Sequence, residues 1–395
     1  MFSLARNPTI FRLFIAQALF WSCAVLCVLA APLVGLKLAP IAELASLPLA
    51  FYVLGNLIAL QPLARIMQRR GRRTGFLMGA CLGLLGGLSS AGSLWLDSFL
   101  LFCLAAIPIG AYQASAMYYR FAAIEAVAEL FKGRATAAVI GAGVVAAIVS
   151  PVLAAIGRGL LPVPFAGTYL LVSTMAVLAL LTLFTLPTSQ PQSVPETSGK
   201  PTRWRVLLAR PAIQTAILTT ATGHGLMTLV MNATPLAMHA EGMDLTASST
   251  VIQWHMLGMF LPAFAAGSLV DRYGARVIAS SGVMLLAMST LTAFGGLSHM
   301  HFLASSFLLG AGWNLMLVAG TTQLAAGHGL HERANAQGLM ELTNGAVAAL
   351  MSFTSGALIA QAGWTTLNIV VLPALVIVLA VQARRSRYCA TDIRW

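Results

Sequence analysis

Twelve apolar runs, each bounded by charge, proline or glycine, divide this chain. They fall near residues 10–35, 40–64, 74–95, 98–121, 134–157 and 166–187, and then 210–237, 246–270, 276–297, 300–325, 334–361 and 364–383. About 20 apolar residues in helical form cross the roughly 30 Å hydrocarbon layer of a bilayer. Inside that layer only a helix or a closed barrel satisfies every backbone polar group, and continuous apolar runs of this length suit helices. Only 9% of the residues are charged and 58% are hydrophobic, against about 25% charged in a soluble chain. The expected fold class is therefore an all-α membrane protein with twelve transmembrane helices. Twelve spans take up roughly 240 residues of the 395, so no catalytic domain fits beside them and an enzyme is not expected. The basic start and apolar run at the N-terminus continue to about residue 35 without a small-residue cleavage site, the pattern of a retained first helix. Cysteines at 23, 27, 81, 103 and 389 show no CxxC pair and exclude a disulfide framework.

The longest interruption, 188–209, is rich in Pro, Ser and Thr and cannot bury a core. It divides an N-terminal six-helix half, 1–187, from a C-terminal half, 210–383, which a short tail, 384–395, follows. With an even number of spans both termini share one side. That side takes 21 of the 23 Lys and Arg, including Arg65, Arg69, Arg70, Arg72 and Arg73, and only Lys37 and Arg158 fall opposite. Basic loops resist translocation, which puts the termini, linker and tail in the cytoplasm. The net charge of +12 is thereby a topology signal, and its partner is the lipid bilayer, not nucleic acid.

The halves repeat with an offset of 203 residues. Gly267-Ser-Leu-Val-Asp271-Arg272-Tyr-Gly274-Ala-Arg276 after span 8 corresponds to Ala64-Arg-Ile-Met-Gln68-Arg69-Arg-Gly71-Arg-Arg73 after span 2, and Pro235 to Pro32. Duplicated six-helix halves build many secondary transporters, with the substrate at midplane and access alternating between the two sides. The loop resembles the GxLxDRxGxR signature of the major facilitator superfamily. The second copy matches it at Gly267, Leu269, Asp271, Arg272, Gly274 and Arg276, while the first has Ala64 and Gln68 at its Gly and Asp positions. The resemblance implies a gating latch at Asp271, Arg272 and Arg276. A helix N-terminus and the cation of Arg134 at the start of span 5 would suit the Asp271 carboxylate.

Span 7 carries Met227 and Met231, and span 8 carries His255 and Met259, each pair four residues apart on one helix face. An MxxxM alone means little in a chain with 17 methionines. The HxxxM on the next, antiparallel helix lies at matching depth by a count of about 1.5 Å per residue. This predicts two rungs, Met231 with His255 and Met227 with Met259. Thioethers and one imidazole, with no carboxylate at that level, suit a soft monovalent ion such as Cu(I). The motif pair resembles that of the CcoA-type copper importers of proteobacteria. The resemblance implies copper as transported substrate, supply of cytochrome c oxidase assembly, and copper chaperones or exporters as downstream partners; no cofactor is implied. Relatives without the motifs are associated with riboflavin uptake.

Other residues extend the pattern. His224, one turn below Met227, would receive an inward-moving ion, and Met238, His239, Glu241, Met243 and Asp244 form a possible collecting mouth. Cys23 and Cys27 present a soft pair on span 1 at the pseudo-symmetric position. Glu341, about 10 Å into span 11, is the candidate coupling group, whereas Glu125 and Glu129 are expected to be solvated. Span 5 has Ser150-Pro151 and lacks the GPxxGG run of drug/proton antiporters. The alternatives are a carrier of an organic solute, riboflavin-like or a drug, in a cavity lined by Tyr112, Gln113, Trp313 and Asn314, and a membrane copper sensor.

Overall fold

The computed structural model describes residues 7–41, 44, 47–187 and 204–391, and among these there are helices and turns but no strand. The helices are α1 (Pro8–Leu38), α2 (Leu47–Arg70), α3 (Arg72–Trp95), α4 (Phe99–Ala116), α5 (Tyr119–Glu125), α6 (Lys132–Gly141), α7 (Gly143–Gly159) and α8 (Ala166–Phe184). They continue with α9 (Trp204–Ala209), α10 (Pro211–Ala240), α11 (Leu245–Phe260), α12 (Ala263–Tyr273), α13 (Ala275–Phe294), α14 (His299–Gly327) and α15 (Arg333–Thr391). Spans 4, 5 and 8 are each made of two helices (α4–α5, α6–α7, α11–α12). In the other direction, α15 holds spans 11 and 12, which are separated at Gly363 by a left-handed φ of 75°. The fold is the twelve-helix architecture in two halves.

Span 2 begins and ends about six residues later than the apolar run suggested. Pro48 suits the first turn of α2, and the helix continues through Arg65, Arg69 and Arg70 because long cationic side chains reach water from a helix end. Among the described residues nine helices are long and apolar enough to cross a membrane. Spans 7, 8 and 11 are the three outside that set. Each carries polar side chains in its length: His224 and Asn232, Gln253 and His255, Gln337 with Glu341 and Asn344.

Two compact units divide the described chain, 1–126 with 142–200 and 127–141 with 201–395. In the first, span 1 packs on spans 5 and 6, and α3 lies between α4 and α8. In the second, span 7 packs on spans 10 to 12, span 8 on span 10, and α13 on α14. Helix α6 groups with the second unit through α12. The linker residues 188–203 and the last residues, 392–395, lie outside the described residues.

The repeated loops share a backbone device. Gly71 and Gly274, 203 residues apart, both take positive φ, 87° and 84°, with ψ of 157° and 149°. Only glycine enters this region without strain, so the sharp reversal between helices explains the invariant spacing of the two copies.

Candidate functional site

Spans 7 and 8 touch each other little, and each packs instead along span 10. The sequence had opposed them directly; the structure places α14 against both. Glycines permit the close approach. A Cβ at Gly258 would lie 2.4 Å from the Phe307 carbonyl oxygen, and one at Gly310 would lie 2.5 Å from the His255 carbonyl and 2.7 Å from the Met259 nitrogen. Backbone therefore meets backbone between spans 8 and 10, the small-residue packing that brings membrane helices together.

These contacts set depth. Gly258 is level with about residue 310, so His255 stands near 307 and Met259 near 311 of span 10. On span 7, Gly223 faces Met316 and Thr220 lies against Gly320, which puts Met227 near 312 and Met231 near 308. The four side chains thus sit at two depths, Met231 with His255 and Met227 with Met259, each pair matched to within about one residue, or ~1.5 Å. Met227 and Met231 are partly buried against the apolar core of the second unit, which includes Leu226, Val230, Val251 and Met316.

His255 is buried, at 3% exposure. Its Nδ1 stands 2.8 Å from the Ser306 carbonyl oxygen. A carbonyl only accepts, so Nδ1 carries the proton and donates, and the neutral ring then bears its lone pair on Nε2. Nε2 is buried and has no hydrogen-bond partner among the described residues. An imidazole whose far nitrogen is tied to a backbone carbonyl is the arrangement that orients a histidine as a metal ligand.

Just below, span 8 breaks at Leu261–Pro262, since proline has no N–H to continue the helix. Asn314 Nδ2 donates to the Met259 carbonyl at 2.6 Å beside this break. Asn314 and its neighbour Trp313 are buried, and Asn314 Oδ1 and Trp313 Nε1 have no hydrogen-bond partner among the described residues. His224 stacks edge-on to Trp313 with ring centroids 5.2 Å apart, and Phe260 meets the same indole at 6.3 Å. The sequence named Trp313 and Asn314 only as liners of an organic-solute cavity. Ser306 was missed, because its contribution is a main-chain carbonyl that no residue type announces.

The remaining candidates lie elsewhere. Thr220, one turn below His224, donates to Asn344 Oδ1 at 2.9 Å, one turn from the buried Glu341. Cys23 and Cys27 are buried in the first unit, where Cys23 donates to the Val172 carbonyl at 3.5 Å. Tyr112 is buried there too, edge-on to Phe20. Glu125 is exposed, as expected, and in addition pairs with Arg72, at 2.5 Å and 3.3 Å, because Arg72 at the start of α3 reaches its carboxylate. Glu129 is exposed and pairs with Lys132.

Asp271, at the end of α12, accepts from the backbone N–H of Gly133 at 2.9 Å and of Arg134 at 3.2 Å, with the Arg134 Nε at 3.3 Å. These are first-turn donors of α6, where the helix dipole favours an anion. Burial pushes the Asp271 carboxyl above its ordinary value, opposed by the two N–H bonds and the Arg134 cation. Gly267 makes the approach possible: a Cβ there would lie 2.6 Å from Arg134 Cα and from the Gly133 carbonyl oxygen. Arg272 is exposed and lies over the Tyr273 ring; Arg276 is half-buried.

An all-helical bundle with duplicated six-helix halves and a broken helix beside buried polar groups is the architecture of a multi-pass membrane transporter. Residues 223–387 match the model of the Major Facilitator Superfamily. The chain is 35% identical over 379 residues, 95% of each chain, to the riboflavin transporter RfnT of Brucella anthropi. It is 28% identical to the uncharacterized MFS-type transporter YdeG of Bacillus subtilis, over 86% of this chain and 83% of that one. The crystal structure of the MFS transporter FucP in the outward conformation superposes with a TM-score of 0.76 at 15% identity, over 96% of this chain and 99% of that one. The chain belongs to the Major Facilitator Superfamily.

Proposed function

We propose that this transporter imports copper, as Cu(I), across a bacterial inner membrane by alternating access, with the ion held by Met231 and His255 and passed to Met227 and Met259. The observation that carries this reading is the buried His255, its Nδ1 proton committed to Ser306 and its Nε2 lone pair open. Thioethers need no deprotonation and bind a soft monovalent ion without adding charge. His224 is the exit ligand in this scheme and Glu341 is the coupling group, while Cys23 and Cys27 are a separate soft pair within the first unit. Asp271 is the latch on α6, with Arg272 and Arg276 beside it. The excess of Lys and Arg on one side supports cytoplasmic termini.

The second reading is uptake of a planar organic solute of the riboflavin class. The comparison with curated relatives favours it over copper, since the 35% identical protein is named for riboflavin. Locally it is supported by the buried indole of Trp313 with its unpartnered Nε1, the adjacent Asn314 Oδ1 and the rings of His224 and Phe260, a set suited to stacking and hydrogen-bonding a heteroaromatic ring. Accumulation of radioactive copper and of labelled riboflavin, measured side by side in cells with and without the chain, separates the readings. Copper import raises cell copper and leaves riboflavin unchanged. The reverse pattern establishes the second reading, and binding without accumulation of either would indicate a sensor.

A further inference from the structure

The second unit contains a cavity of about 510 Å³ with Leu208, Leu218, Thr222, Leu226, Val347 and Ala374 in its walls, and none of the Met and His side chains of the candidate site lines it. Its span 7 wall runs from Gln214 to Leu226, roughly 18 Å at 1.5 Å per residue, so the cavity is a slot along the helices. Of the polar side chains on its walls, Gln214 Nε2 donates to the Leu208 carbonyl at 2.6 Å and Thr343 Oγ1 to the Leu339 carbonyl at 2.8 Å, which leaves Thr222 on a surface that is otherwise predominantly apolar. A guest that fills the slot is therefore apolar along its length.

The slot reaches α9 at Leu208, and this end has a different chemistry. Helix α9 is anchored by the fully buried Leu207, while Trp204, Val206 and Leu208 are exposed at 40%, 49% and 41%. Arg205 is exposed one turn before Leu208. Tryptophan, aliphatic side chains and arginine on a short helix at the end of a span form the composition of a membrane interface. A cation at that depth attracts anionic lipid.

We propose that this cavity is a phospholipid site, with one acyl chain in the slot along span 7 and an anionic headgroup at Arg205. The occupant combines an apolar tail of the slot's length with negative charge at the basic end. The site is independent of which solute is transported.

The test is native mass spectrometry of the full chain, purified in mild detergent and exposed to phosphatidylglycerol, phosphatidylcholine and a free fatty acid. One phosphatidylglycerol should stay bound per chain, preferred about fivefold over phosphatidylcholine, the factor given by the ~1 kcal/mol of one interfacial arginine. Arg205→Gln should erase that preference and leave acyl retention in place. Ala374→Phe, which fills the slot, should reduce retention at least tenfold, and Thr222→Met fills the slot from another wall should the first variant elute poorly. Retention unchanged in both filled variants, equal retention of the two phospholipids by the parent chain, binding of the fatty acid in place of phospholipid, or an adventitious additive only would each overturn the proposal.

Discussion

His255 concentrates the chemistry of the proposed copper path in one ring. His255→Leu and Met231→Leu keep apolar volume and remove a ligand atom. Each is expected to lower copper uptake at least tenfold with membrane insertion unchanged, measured as accumulation per correctly inserted molecule; parental uptake in both would remove the site. Asp271 gives a test with a pH sign. Its carboxyl is raised by burial, so the carboxylate is somewhat less favoured in the folded chain than in the unfolded one; stability from this residue is present at low pH and lost as pH rises through the raised value. Asp271→Asn should then hold or raise the melting temperature at neutral pH, with the gain vanishing on acidification, while transport slows through loss of the latch. A variant that melts lower at neutral pH than the parent would show that the Arg134 pairing outweighs burial. Spacing on two successive antiparallel spans singled out Met227, Met231, His255 and Met259 in the sequence, and the repeated loop motif singled out Asp271. They did not disclose Ser306, whose backbone oxygen fixes the imidazole.

Span 10 is the element on which the site is built, and its importance was not legible. Periodicity marks a helix and charges mark its ends, which is why ten of the twelve spans fell close to their predicted limits; the exceptions are span 2 and span 12, whose helix runs on to Thr391, eight residues past its expected end. Which helix lies between two others depends on glycine contacts such as Gly258 and Gly310, and a glycine in an apolar run carries no signal of what it touches. The break at Pro262 and the shift of α2 likewise follow from proline and arginine acting at helix ends. Gly310→Ala tests the element directly. The added methyl meets backbone atoms of His255 and Met259, so spans 8 and 10 must separate, at a cost of about 1–3 kcal/mol. The expected outcome is a lower melting temperature together with loss of copper uptake, whereas Gly92→Ala, at a glycine with open space around it, should change neither. Parental uptake in Gly310→Ala would mean that the spacing of spans 8 and 10 does not position His255.

At the scale of the whole molecule, the duplicated halves, the basic loops and the twelve spans were all present in the pattern of apolar and charged residues. Superfamily membership follows from them and from the extended similarity to known transporters. The substrate is a finer property: it depends on a few side chains within a shared architecture, and relatives with one fold carry different solutes. The central claim is that thioethers and the His255 imidazole together hold a soft ion. X-ray absorption spectroscopy of the purified chain loaded with Cu(I) measures that ligand set. A first shell of sulfur with one nitrogen, in which the nitrogen disappears in His255→Leu and sulfur is reduced in Met231→Leu, is the predicted result. A shell of oxygen and nitrogen alone, unchanged in both variants, would contradict it.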